Sequence, residues 1–467
     1  MFYERSLKRH KRRRAMKGSN VTQGNEEAQR PGNTSTDTST TSLSPTESGI
    51  AHDSYRALHS RDFRLLIIGV FLAMFGRQMI TVAIGWELYD RTSSALVLGG
   101  VGLAQVLPLI VLFLPSGYVA DRYSRKYVVI ISQVVLGLAS LALALLSYQH
   151  GSLLLIYGCL VVMGSAQSFS NPASSALVAQ VVPEQAFENA TTWRSSIAQL
   201  SSVIGPASGG FLIGLFHGAT IVYVLSAVAA LIFALLLKWM RVRQQVYQPQ
   251  AAKGGQKTLS SLVEGLRFLG KTQVMLAAIT LDLFAVLLGG ATTLLPIFAR
   301  DILHVGPLGL GWLQAADSMG AVCMALLLAH RPPFQRAGRT LLLAVGGFGL
   351  ATIILGLSQW FWLSLLMLFL LGAFDNISVV IRSTLLLVRT PDAMRGRVSA
   401  VSSLFIGTSN QLGGFESGLV AQLIGPVLAV VTGGIGTILV VLLVARQWPE
   451  MRRLGTLREA PHEQHLH

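Results

Sequence analysis

Six charged residues stand inside long apolar stretches of this 467-residue chain: Arg77, Asp282, Asp317, Asp375, Arg382 and Glu416. A charge at the middle of a bilayer costs about 2.5–3.5 kcal/mol on insertion scales, so each is a candidate for function. A carboxyl group in a low dielectric favours its protonated form and can exchange a proton when its surroundings change. Asp317 and Asp375 are therefore the first candidates for carrying a proton, with Asp282 third. Arg382 follows Asp375 by seven residues, two helical turns on and on the same face, which makes the two a pair. Arg77 can bind an anion or restrain one of the acids. Structural pairing, for example of Arg77 with Asp282, is the competing use of such residues. Glu87 and Arg194 lie nearer the ends of their stretches, where long side chains reach the polar boundary cheaply.

A second concentration of charge, Gly117-Tyr-Val-Ala-Asp121-Arg122-Tyr-Ser-Arg125-Lys126, sits between two apolar runs. So much charge in so short a link builds a tight turn at a membrane surface. A third feature, Gly205-Pro206-Ala-Ser-Gly209-Gly210, interrupts an apolar run. Proline removes a helix hydrogen bond and kinks the run, and the glycines let helices pack closely.

These residues need a scaffold of membrane-spanning helices. Hydrophobic residues make up 52% of the chain and charged ones only 13%, about half the charged share of a soluble protein. Twelve stretches reach the roughly 20 apolar residues a spanning helix needs, at about 63–89, 95–119, 127–148, 152–178, 190–215, 219–240, 273–298, 308–329, 339–358, 360–388, 397–424 and 426–446. Lys and Arg crowd the links on the side of the termini, while the other links hold only Arg91 and Arg300. This asymmetry places both termini in the cytoplasm, and it explains the net charge of +15 without nucleic acid. The expected organisation is a basic tail over 1–55, six helices over 56–240, a linker over 241–272, six helices over 273–446 and a tail over 447–467.

Residues 1–17 hold eight bases and one acid, and residues 18–54 are rich in Ser, Thr, Gly and Asn. They read as a disordered tail whose bases can touch anionic lipid. In the linker, Leu259, Leu262, Val263 and Leu266 against Glu264, Arg267 and Lys271 predict an amphipathic helix lying on the membrane. Cys159 and Cys323 lie in apolar runs and read as core residues. The terminal His462, His465 and His467 could hold a metal but read as a solvated tail. No metal-ligand spacing, nucleophile motif or G-x-x-x-x-G-K-[ST] loop occurs, so neither an enzyme nor a cofactor is expected and ion coupling is favoured over ATP.

The chain repeats itself. A shift of 208 residues lays Gly164 on Gly372, Pro183 on Pro391, and Gly205 and Gly210 on Gly413 and Gly418. A shift of 209 lays Gly102 and Gln105 on Gly311 and Gln314. The repeat aligns Gln167 and Ser174 with Asp375 and Arg382, so that pair belongs to the second half alone.

Parallel six-span repeats and the Gly117-x-x-x-Asp121-Arg122-x-x-Arg125-Lys126 loop resemble the major facilitator superfamily. The resemblance implies an all-α membrane protein with twelve transmembrane helices in two pseudo-symmetric halves, and a substrate path between them. It also implies that the loop is a conformational latch. Asp121 would face the positive N-terminus of the eleventh span, near Met394–Ser399, when the cytoplasmic side is shut. A purely topological turn is the alternative. The equivalent second-half loop has His330 where Asp121 would stand, so the latch is one-sided. Gly205-Pro206-x-x-Gly209-Gly210 resembles a segment of proton-driven drug exporters, although Thr192 and Ser201 replace its upstream glycines. With Glu264–Leu269 and Arg389–Val398, the chain resembles the enterobactin-exporter-like branch over residues 56–446. That implies a monomeric inner-membrane exporter of a siderophore or drug-like compound, working by proton antiport. Uptake of a ferric siderophore or metabolite, or a non-transporting membrane sensor, are the alternatives.

Overall fold

The computed structural model describes residues 55–241, 256–332 and 334–455. The expectations for the N-terminal tail, the polar first part of the linker, the side chains of Leu259, Leu262 and Lys271, and His462, His465 and His467 lie outside the described residues and side chains.

The described chain is helical, without a strand. Its long helices are α1 (Arg61–Thr92), α2 (Ala95–Arg122), α3 (Arg125–Tyr148), α4 (Leu153–Val181), α5 (Phe187–Phe216), α6 (Thr220–Trp239), α7 (Gln273–Ile302), α8 (Gly306–Ala329), α9 (Ala337–Leu357), α10 (Phe361–Arg389), α11 (Arg395–Ile424) and α12 (Pro426–Gln447). Among the described residues, eleven of these are long and apolar enough to cross a membrane. The exception is α11, the expected span 397–424. It has the length, but its serines, glycines and amides lower its apolarity, and Ser409, Gly413, Gly414, Ser417 and Gly418 are buried against other helices. Elsewhere the bilayer is the solvent that the surface implies: Leu154, Leu343 and Leu423 are each at least three-quarters exposed, as water would not tolerate over a whole surface.

The helices end where their backbones require. Ser60 caps α1 by accepting from the Phe63 amide at 3.4 Å, satisfying one of the free N–H groups of a first turn. Gly306 (φ +66°) and Gly425 (φ +92°) occupy the left-handed region open to glycine, and each precedes a proline that starts the next helix, Pro307 or Pro426. The chain thereby reverses within one to three residues. Helix α7 is interrupted. It is regular to Leu288, then passes through a 3₁₀ turn at Ala291–Leu294 and a π-helical turn at Phe298–Ile302. Gly289-Gly290 and Pro296 explain the break, since neither supports a regular helix interior.

Packing follows the repeat. Helix α2 crosses α11, and α5 crosses α8. At the second crossing a Cβ on Gly210 would lie 2.8 Å from Gly311 Cα. At the first, a Cβ on Gly418 would lie 2.6 Å from Gly99 Cα, and Gly102 abuts Gln411. Gly210 and Gly418, and Gly102 and Gly311, are repeat mates. Likewise Gly205 packs on Gln78 and its mate Gly413 on Val286, while Gly164 packs on Pro108 and Gly372 on Asp317. Small residues recur because only they let these backbones touch.

The apolar core is single at one end and double at the other. At the end away from the termini, the far end, Met79, Leu88, Leu98 and Ile213 of the first six helices join Leu294, Phe298, Leu313 and Leu371 of the last six in one cluster. At the end bearing the basic links, the basic end, Phe63, Leu66, Val129, Leu177 and Phe233 form one core. Leu281, Leu341, Ile381, Leu385 and Val398 form a separate second core there. The surface helix Gln256–Lys271 packs on the latter side: Gly265 meets Arg397 and Val401, and Arg397 donates to Glu264 at 2.7 Å. Leu269 is buried there, while Val263 and Leu266 stay exposed.

Candidate functional site

Between the crossings lies a cavity of about 430 Å³. Arg77, near the middle of α1, and Arg194, two turns into α5, reach it. Amides face it from several helices: Gln78, Gln105, Gln167, Asn171, Gln314 and Gln411. Gln105 and its repeat mate Gln314 approach from α2 and α8, across the boundary between the two sets of six helices. Gln167 Nε2 donates to Asn171 Oδ1 at 2.5 Å. Among the described residues no carboxylate lines the cavity.

The acids lie elsewhere. Arg382 on α10 forms an ion pair with Asp282 on α7; Asp282 is buried and Arg382 largely so. Asp282 and Asp375 face one small void between α7, α9 and α10. Asp317 sits on α8 where Gly372 of α10 presses on its carbonyl. Glu416 accepts a 3.5 Å hydrogen bond from the Ser417 hydroxyl. None of Asp282, Asp317, Asp375, Arg382 or Glu416 lines the 430 Å³ cavity; of the six charged candidates only Arg77 does. Two expected pairings are corrected. Arg382 pairs with Asp282 rather than Asp375, and Arg77 does not pair with Asp282. Helical spacing places Asp375 and Arg382 on one face, but α7 packs against that face and supplies a nearer carboxylate. Glu87 pairs with Arg91 one turn away.

The two ends of the cavity differ. At the far end the Tyr89 hydroxyl of α1 donates to Asp301 in the π-helical turn of α7. Arg300 Nη1 donates to the Tyr89 carbonyl at 3.1 Å and to Ser93 Oγ at 3.3 Å, with its guanidinium 5.6 Å from the Tyr89 ring centre. Ser94 donates to Gln422 Oε1 at 3.1 Å, joining α2 to α11. In the sequence Arg300 stands out only as a rare far-side base, and nothing marks Tyr89 or Asp301. Their pairing links residues more than two hundred positions apart, and no local pattern announces it.

At the basic end, no hydrogen bond or ion pair among the described residues joins the two sets of helices. Arg122 donates to the Tyr118 hydroxyl at 2.7 Å, Arg125 to the Ala176 carbonyl at 3.2 Å, and Lys126 to the Met240 carbonyl at 2.7 Å. All these partners belong to the first six helices. Asp121 is exposed and has no polar partner. A Cβ on Gly117 would meet nothing within 4 Å. The expected contact of Asp121 with the start of α11 is thus not made in this conformation, because the two basic-end cores stand apart. Arg395 and Arg397 are instead engaged by Asp392 and Glu264, each at 2.7 Å.

The kink segment has a packing role on two sides. Gly205, Pro206, Gly209 and Gly210 are buried in α5. Gly205 and Gly209 press on Gln78 and Met79 of α1, while Gly210 and the Pro206 carbonyl press on Gly311 of α8. The segment therefore seats one helix on both sets at once. Cys159 and Cys323 are free thiols.

Helices of membrane-crossing length around a polar cavity, joined at one end and parted at the other, define a multi-pass membrane transporter. The chain belongs to the Major Facilitator Superfamily, whose family model matches residues 66–413. Enterobactin exporters EntS from Citrobacter koseri and Escherichia coli are 27% and 26% identical to it over 395 residues, covering 84% of this chain and 92% of theirs. The fold matches an inward-facing, occupied bacterial homologue of the human lysosomal transporter Spinster, with TM-score 0.65 and 15% identity over 84% of this chain and 97% of that one. It also matches the nucleoside transporter NupG, with TM-score 0.67 and 13% identity over 83% and 100% of the two chains.

Proposed function

We propose that this protein exports a small organic molecule, a siderophore or drug-like compound, across a bacterial inner membrane by proton antiport. The observation that carries the reading is a central polar cavity whose far end is sealed by one shared core and whose basic end separates two cores. The basic surplus puts the basic end and both termini in the cytoplasm, so cargo enters from the cytoplasm in this state. The units 56–240 and 273–446 rock about the glycine crossings, with 241–272 linking them, and a single chain suffices. The enterobactin exporters to which the chain is similar support the direction and the cargo class.

Separation of acids from cavity suits antiport. Asp317 and Asp375 carry the proton in α8 and α10, off the path of the cargo, with the Asp282–Arg382 pair beside them. A proton taken up there changes the charge balance among α7, α8 and α10 without touching the cargo. Latch residues Gly117, Asp121, Arg122, Arg125 and Lys126 engage α11 when the basic end shuts.

The test is cargo accumulation in everted vesicles under an imposed pH gradient, with Asp317→Asn and Asp375→Asn made separately. At least one should lose pH-driven transport while keeping expression and monodispersity. Full activity in both sinks the assignment of the proton, and cargo movement in the opposite direction sinks export. Comparing metabolites in the medium of deletion and wild-type cells under iron limitation identifies the cargo.

A further inference from the structure

We infer that the cavity binds its cargo as an organic anion, with Arg77 and Arg194 as the paired charge sites. This rests on the cavity being the cargo site and specifies the cargo's chemistry. Among the described residues Arg77 and Arg194 are the only ionisable ones lining the cavity, and neither guanidinium makes a hydrogen bond or ion pair. Acids on the contributing helices are engaged or distant. Glu87 pairs with Arg91, Asp62 accepts from the Arg241 amide at 3.1 Å, Glu188 and Asp121 lie at the basic end, and Asp317 and Glu416 do not line the cavity. Two guanidiniums facing one partly desolvated space without a counter-charge are costly unless something anionic joins them. Each presents a planar fork of donors matched to a carboxylate or similar oxyanion.

Their depths differ. Arg194 is seven residues into α5 from the basic end, and Arg77 sixteen into α1, about 10 Å and 24 Å along the respective axes. An entering anion meets Arg194 first and Arg77 at the centre. The remaining walls mix apolar side chains, such as Leu136 and Phe233, with amides and hydroxyls, which suits an amphipathic body carrying hydrogen-bonding groups. Gln133 Oε1 is buried with no partner and lines the same cavity, so it lacks a donor that a cargo hydroxyl or N–H would supply. Sequence position alone had made Arg194 a side chain reaching for the surface. The fold turns it inward.

Two dyes on one ring system make the test: fluorescein, a dianion at mildly alkaline pH, and a cationic rhodamine ester. Polarisation is measured on the purified full-length protein in detergent. Fluorescein should bind at least ten-fold more tightly than the rhodamine ester and weaken as salt is raised, a result that needs no variant. Arg77→Gln and Arg194→Gln should each weaken fluorescein about ten-fold, with Arg77→Lys and Arg194→Lys falling between. Equal or tighter rhodamine binding, or fluorescein affinity unchanged by both glutamine variants, overturns the inference. The export reading fails separately. Arginine-dependent fluorescein binding without pH-driven movement in vesicles leaves the anion site standing and removes the coupling.

Discussion

Tyr89 holds Asp301 across the far end of the molecule, whereas Asp121, on the loop that joins α2 to α3 at the basic end, holds nothing. The same two helices, α2 and α11, touch through Gly99 and Gly418 near the first end and leave Gly117 without a neighbour at the second. Helices that touch near one end and part at the other can pivot on their point of contact. The far-end core merges apolar residues from both sets of helices, so opening it exposes surface worth about 25 cal/mol per Å². The basic end already keeps two separate cores and gives up no such burial. On the proposed rocking, closing the basic end and opening the far end trades the Tyr89–Asp301–Arg300 cluster for contacts between the Asp121 turn and the second set of helices, which are not made here. The charged turn would then be one half of an exchange whose other half has no recognisable motif.

The largest way to break this contrast is at the pivots. Gly418→Leu and Gly210→Leu place side chains where backbone now sits 2.6–2.8 Å from a Cβ. Each should abolish transport and increase the far-end distance between spin labels at Gln149 and Gln359. Next comes the ion pair at the base of the second core. Arg382→Met leaves Asp282 buried and unpaired, which should cost about 3–5 kcal/mol of stability, while joint replacement with Asp282→Leu should recover most of it. Denaturation of the purified variants checks both.

Asp121→Asn should leave the protein inserted and folded but slow transport about ten-fold, roughly 1.4 kcal/mol, by weakening the state closed at the basic end. Labels at Ser124 and Arg331 should then remain far apart when cargo is added. Normal transport would reduce the loop to a topological marker. Tyr89→Phe should have the smallest effect. Losing one partly buried hydrogen bond costs about 1 kcal/mol, so far-end opening should become a few-fold more populated, read from the same Gln149–Gln359 distance.

Much of this was legible in the sequence. Apolar run length fixed the helices within a few residues, because a bilayer sets a length that every span must meet. The offset repeat located the close crossings before any contact was visible, because glycines are required wherever backbones touch. The charged candidates stood out because a charge in an apolar run is costly wherever it points. What remained hidden was direction and partnership. Arg382 reached Asp282 on another helix instead of Asp375 on its own. Arg194 lines the cavity instead of reaching for the surface, while Asp282, Asp317, Asp375 and Glu416 do not line it. Spacing along one helix defines a face, but what lies opposite that face depends on how the helices pack. Only the tertiary structure decided that the far end is shut and the basic end parted, since which end of each crossing is in contact depends on how the helices pack and not on spacing along any one of them.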